Sequence, residues 1–164
     1  MKGKKTDLSE SECPIARALD VVGDWWTLLI IRQAFGGVQR FSEFQKTLQL
    51  AKNILSTRLR KLVEQEIFSV EPSSQSPARN RYVLTEKGES LYVILVALWQ
   101  WGEKYRFAKN EIEMTLVDER HGARIAPLRV MAADGRRIDS RGFYPRRKSG
   151  NPVWDTAQRP NRAG

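Results

Sequence analysis

Between Arg40 and Leu62 the chain reads RFSEFQKTLQLAKNILSTRLRKL, two short amphipathic segments set almost back to back. Ser42 and Gln45 have the spacing of a capping box, in which each side chain satisfies the other residue's open backbone N–H. They predict a short helix that begins at Ser42 and ends near Gln49, followed by a second from Ala51 or Lys52 to about Gln65. At about 100° per residue, Leu55, Leu59, Leu62 and Val63 of the second helix make one apolar arc. Asn53, Thr57 and Arg60 fall near the opposite pole, with Ser56 and Lys61 on the shoulders. A helix divided in this way lays one side on a core and shows the other.

The flanking segments supply that core. Pro14 suits the first position of an upstream helix, CPIARALDVVG, which Gly23 ends. Asp24 caps the next, WWTLLIIRQAF, which stops at Gly36 and Gly37. That helix is apolar nearly all round and is expected to be the buried spine of the core. Downstream, IFSVEP and RNRYVL read as strands on either side of the polar loop SSQSPA. Thr85 caps a long last helix, residues 86–105, with Leu91, Ile94, Leu95, Leu98 and Gly102 on one face. A short helix pair followed by a two-stranded hairpin is the layout of a winged helix-turn-helix, mainly α with a small β hairpin (α+β).

Beyond Phe107 the pattern changes. IEMTLVD, ARIAPLRVMA and RRIDS read as strands, separated by turns at His121-Gly122 and Asp134-Gly135, the latter a strong hairpin signal. The expected organisation is a disordered N-terminus (1–11), a winged helix-turn-helix domain (12–107), a small C-terminal β-hairpin extension (108–145) and a basic flexible tail (146–164).

The formal charge of +9 favours polyanionic partners, nucleic acid first. Residues 106–164 hold 13 Lys and Arg against 7 Asp and Glu, and Arg136, Arg137, Arg141, Arg146, Arg147 and Lys148 crowd together with only Asp139 opposed. Such a run adds non-specific attraction to DNA or merely solubilises the chain. No apolar run approaches the roughly 20 residues that span a bilayer, and MKGKKTDLSESE carries no signal-peptide core. The expectation is a cytoplasmic protein with no membrane partner. One cysteine, Cys13, and one histidine, His121, cannot build a zinc site, and a lone cysteine closes no intrachain disulfide. No metal or cofactor is expected. With no Gly-rich phosphate loop and no carboxylate pair in a recognisable context, neither is catalysis.

The outer face of the second short helix is chemically specific. An ordinary solvated face mixes Glu with Lys at i,i+4 spacing, yet residues 52–63 contain no carboxylate. Arg and Asn are the side chains that bond guanine and adenine edges bidentately, and Ser or Thr serves either. Lys52, Asn53, Ser56, Thr57, Arg60 and Lys61 are therefore candidate DNA contacts. Arg40 and Ser42, beside a helix start that attracts phosphate, join them. So do Arg79 and Arg81 at the base of the wing, where a minor groove comes within reach or where they only balance local charge.

The blocks CPIARALDVVGDWWTLLIIR, RFSEF, ILSTRLRKLVEQEI and LTEKGESL, in this order and spacing, resemble the HxlR-type family of bacterial winged-helix transcription factors over Cys13 to about Tyr105. The resemblance implies a homodimer that binds an inverted repeat in double-stranded DNA and controls nearby genes, here expected as repression. It implies that the first and last helices form the dimer interface, which would use Ile15, Leu19, Leu91, Ile94, Leu95, Leu98, Trp99 and Gly102. Cys13 falls on the family's N-terminal cysteine, used by several members to sense oxidants or electrophiles, which leaves two readings: a small-molecule or electrophile effector acts there, or the thiol is half-buried and only packs. Arg79 matches the arginine before the second wing strand. The sequence departs from the family at Ala51, where a capping Ser is usual, and at Asn80 and Arg81, which replace an apolar-acidic pair. The competing readings are a nucleic-acid-binding module indifferent to sequence and a protein-interaction module, to which the Trp-rich end of the last helix (Trp99, Trp101) is suited.

Overall fold

The computed structural model describes residues 7–73, 76–108, 111–150 and 153. The chain forms two compact units, residues 1–101 and 102–164. The expectations for residues 1–6 and for most of the tail beyond 150 lie outside the described residues.

In the first unit, α1 (Pro14–Val22) starts with proline as its first residue and α2 (Trp25–Phe35) is capped by Asp24, whose carboxylate accepts from the N–H groups of Trp26 and Thr27 at 3.0 and 3.3 Å. Ile30 and Ile31 of α2 are fully buried, but Trp25 and Phe35 at its ends are exposed, so the spine is buried on one side only. α3 (Phe41–Leu48) closes at Gln49 in the left-handed conformation, φ 51°, and α4 (Lys52–Glu64) follows almost at once. The cap of α3 differs from the Ser42–Gln45 box. Arg40 is the N-cap, and the Glu43 carboxylate reaches back to the N–H groups of Arg40 and Gln39 at 3.0 and 3.3 Å. This is the carboxylate half of a capping box, since a guanidinium has no lone pair with which to accept.

The wing is an antiparallel hairpin of β1 (Phe68–Ser73) and β2 (Ser76–Leu84), with Phe68 opposite Leu84 and Glu71 opposite Arg81. Phe44, Phe68 and Tyr82 meet in a three-ring cluster, centroids 6.3–6.4 Å apart, which ties α3 to both wing strands. Val22, Leu48, Leu50, Leu55, Leu59, Leu62 and Ile67 complete the core.

The long last helix is two. Thr85 caps α5 (Glu86–Glu89) by accepting from Gly88 N–H, as its sequence predicts, but the chain tightens at Ser90 and Leu91 before α6 (Tyr92–Tyr105) begins. The Ser90 hydroxyl donates to Lys87 O at 2.7 Å and Leu91 N–H to Gly88 O, a local i→i+3 arrangement that competes with helical continuation. Gly88 has a packing reason: a Cβ there would lie 2.2 Å from the Ile67 carbonyl oxygen, so α5 meets the wing base backbone to backbone.

In the second unit the second and third of the long strands of the sequence reading contract to two residues each, β3 (Val130–Met131) and β4 (Arg137–Ile138), and the first keeps only a bridge between Val117 and Arg124. The Asp134-Gly135 turn is where its sequence places it, with Gly135 at φ 84° and Asp134 accepting from Arg136 N–H at 3.0 Å. No described residue of this unit is buried.

Candidate nucleic-acid interface

The inner side of α4 is anchored by Leu55, Leu59 and Leu62, each at most 1% exposed. Its outer side carries Lys52, Asn53, Ser56, Thr57 and Arg60, all exposed. The Thr57 hydroxyl donates to Asn53 O at 2.9 Å, so toward a partner it offers lone pairs and a methyl group. Ala51, the N-cap, makes no side-chain bond to the first turn, as its sequence implies.

Lys61, which the periodicity puts on a shoulder of the helix, donates its ammonium to the Asp20 carbonyl and lies 3.9 Å from the Asp20 carboxylate on α1, on the flank of the exposed polar face. Arg58, which the periodicity leaves unassigned, is the other inward cation: its Nε and Nη2 both meet Asp24 Oδ1, at 3.0 and 2.9 Å. Partial burial pushes the Asp24 carboxyl up, but the Thr27 hydroxyl, the Arg58 guanidinium and the Thr27 N–H together outweigh it and hold the group below the usual carboxylate range. Nothing in local pattern signals a pair 34 residues apart.

Arg40, Ser42 and Asn80 line a cleft of about 440 Å³ between the start of α3 and the wing. Arg40 is 4.0 Å from the Glu43 carboxylate, and Ser42 is exposed. The Gln39 carbonyl accepts from Tyr82 N–H at 2.8 Å, which fixes the wing to this corner. Arg81 sits half-buried in the hairpin base, paired with Glu71 at 3.1 Å and with Gln39 Oε1 at 3.4 Å, an arrangement that suits the charge-balancing one of its two readings. Arg79 lies on β2, and its side chain is outside the described residues.

Cys13 is the exposed N-cap of α1. Of the expected dimer-interface residues, Ile15, Leu19, Ile94 and Leu98 are exposed apolar side chains of α1 and α6. Leu91 and Leu95 instead pack against the unit's own core, and Leu91 precedes α6. Trp99 is half-buried, with an indole N–H that is enclosed and has no hydrogen-bond partner among the described residues; Gly102 is half-buried. Exposed Val93, Trp101 and Tyr105 extend the apolar surface of α6, Trp101 being one of the two tryptophans that suited an interaction surface in the sequence. Among the described residues no group of three or more His, Cys, Asp or Glu could hold a metal ion, and no helix is long and apolar enough to cross a membrane.

A helix pair whose second member shows a carboxylate-poor polar face beside a β wing defines a winged helix-turn-helix. The model of the HxlR-like helix-turn-helix family matches residues 21–110, and the chain belongs to that family. It is 38% identical to an uncharacterized HTH-type transcriptional regulator of Mycobacterium tuberculosis, over 80% of this chain and 83% of the relative. It superposes on the crystal structure of PA1607, a candidate transcription factor, with a TM-score of 0.82 at 45% identity, over 87% of this chain and 100% of that one. The redox regulator HypR in its reduced form shares the fold at a TM-score of 0.53 and 32% identity, over 57% of this chain and 94% of that one. The class is that of DNA-binding transcriptional regulators.

Proposed function

We propose that the protein binds an inverted repeat in double-stranded DNA as a homodimer and represses the genes beside it, with the outer face of α4 reading base edges in the major groove. The observation that carries this reading is the exposed set Asn53, Ser56, Thr57 and Arg60 on a helix whose other side is locked in the core. Arg40 and Ser42 line the cleft at the start of α3, and on this reading they bond the backbone phosphates. The exposed apolar residues of α1 and α6 are the surface a second copy would cover. Two reading helices in such a dimer lie about one helical turn apart, roughly 10 base pairs, or a multiple of it. Selection from random duplexes should therefore enrich a palindrome, and absence of any enriched repeat would sink the proposal. Arg60→Ala should relax preference at one position per half-site by roughly 1–3 kcal/mol while leaving scrambled DNA bound as before.

Cys13 is the proposed entry point of a signal. It is exposed, at the start of a helix proposed to lie at the dimer interface, and HypR, a structural relative, is a redox regulator. With no second cysteine in the chain, an oxidant or electrophile would leave a cross-subunit bridge, a mixed disulfide or an alkylated sulfur. DNA binding by wild type should respond to diamide or a quinone, and binding by Cys13→Ser should not. Equal responses from the two proteins would move the sensor elsewhere.

A further inference from the structure

The cations of α4 fall into two sets. Lys52 and Arg60 are exposed, whereas Arg58 and Lys61, three residues apart, form one stripe along the flank that meets α1 and α2. Arg58 grips Asp24 through two nitrogens, at 3.0 and 2.9 Å, while Asp24 also caps α2. Lys61 holds the C-terminal turn of α1 through the Asp20 carbonyl.

The leucine row of α4 resists withdrawal of the helix from the core, but apolar contact is non-directional and weakly specifies rotation about the helix axis. Rotation matters for reading. A turn of about 20° at a side-chain radius of about 6 Å moves a tip by about 2 Å, several times the range of about 0.5 Å over which an N–H···O bond is well formed. Directional bonds on the flank are what set that angle.

We propose that Arg58 and Lys61 are positioning residues that fix α4 about its own axis, and so decide whether Asn53, Ser56 and Arg60 reach their bases. Discrimination between sequences depends on this pair of tethers; general affinity for DNA does not. The inference rests on the reading of DNA by α4.

The test uses the full chain and the duplex that wild type selects. Operator affinity, scrambled-duplex affinity, salt slope and melting temperature are measured for wild type, Arg58→Ala, Arg58→Lys and Lys61→Met. Arg58→Ala should lower the operator-to-scrambled ratio by about tenfold or more, the discrimination carried by one bidentate base contact, with the scrambled affinity and the salt slope unchanged. Arg58→Lys, which keeps a cation beside Asp24, should recover most of the ratio, and Lys61→Met should lose part of it. If Arg58→Ala does not fold, Arg58→Gln takes its place. A fall in both affinities with the salt slope reduced by about one would make Arg58 a phosphate contact and overturn the proposal. So would a lower melting temperature with the ratio intact, which is a structural role alone. Failure of wild type to select any sequence fails the reading of DNA itself, and is seen before a variant is made.

Discussion

The two units of the chain are held together by different forces. Among the described residues, the unit of residues 1–101 closes around eleven buried apolar side chains, from Val22 to Phe68. Residues 102–164 have none buried among those described, and leave Met114, Val117, Leu128, Val130, Met131, Phe143 and Tyr144 exposed. What organises them is carboxylates over turns. Asp118 collects the N–H groups of His121 and Ala123 at 2.7 and 3.0 Å, Asp134 that of Arg136, and Asp139 that of Arg141, while Arg124 pairs with Glu103. One unit is shaped by burial, which is cooperative, and the other by local bonds, which are not.

That contrast predicts the largest effect in the first unit. Phe44→Ala removes the ring that joins α3 to the wing and should cost about 3–5 kcal/mol in denaturant unfolding, whereas Met131→Ala in the second should stay within about 0.5 kcal/mol. Similar losses from the two would mean that the second unit has a core after all. Next in size is removal of everything after Tyr105. The shortened chain should keep its preferred sequence, while the salt slope of DNA binding falls by up to about 0.9 for each phosphate that the basic segment neutralises. An unchanged slope would leave Arg136, Arg137, Arg141, Arg146, Arg147 and Lys148 as a solubilising run.

The smallest effect is local and set by pH. The His121 N–H in first place, with that of Ala123, the His121 ring and the Arg120 N–H, outweighs an opposing desolvation and holds Asp118 below the ordinary carboxylate range. Its turn is therefore intact at neutral pH, and its contribution drains as the pH falls through that lowered value. Hydrogen exchange in acid should lose protection at the His121 and Ala123 amides while the amide of Leu59 keeps it. Simultaneous loss would show the two units opening together.

The same contrast explains what the sequence made legible. The split of α4 into a leucine side and a polar side is visible because burial imposes a helical period on residues 52–64. The strands of the second unit look convincing as letters, but alternation promises a buried face and none formed, so IEMTLVD shrank to one bridge at Val117. The α3 cap went astray because Ser42 and Gln45 offer familiar chemistry two positions beyond Arg40 and Glu43, where the bond is made. The Asp24–Arg58 pair is illegible in any window, since it exists only once α2 and α4 have packed. Arg81 is similar: its partner Glu71 is set by the register of the hairpin.

One property of α4 reaches beyond this molecule. Leu55, Leu59 and Leu62 answer to the protein's interior, while the side chains of Asn53, Ser56 and Arg60 are exposed. Substitutions at those outer positions are close to neutral for stability. A duplicated gene could therefore drift there without losing its product and acquire a new address on the chromosome in a handful of steps. On the proposal that Arg58 and Lys61 set the angle of α4, a change at either would blur the address instead of rewriting it.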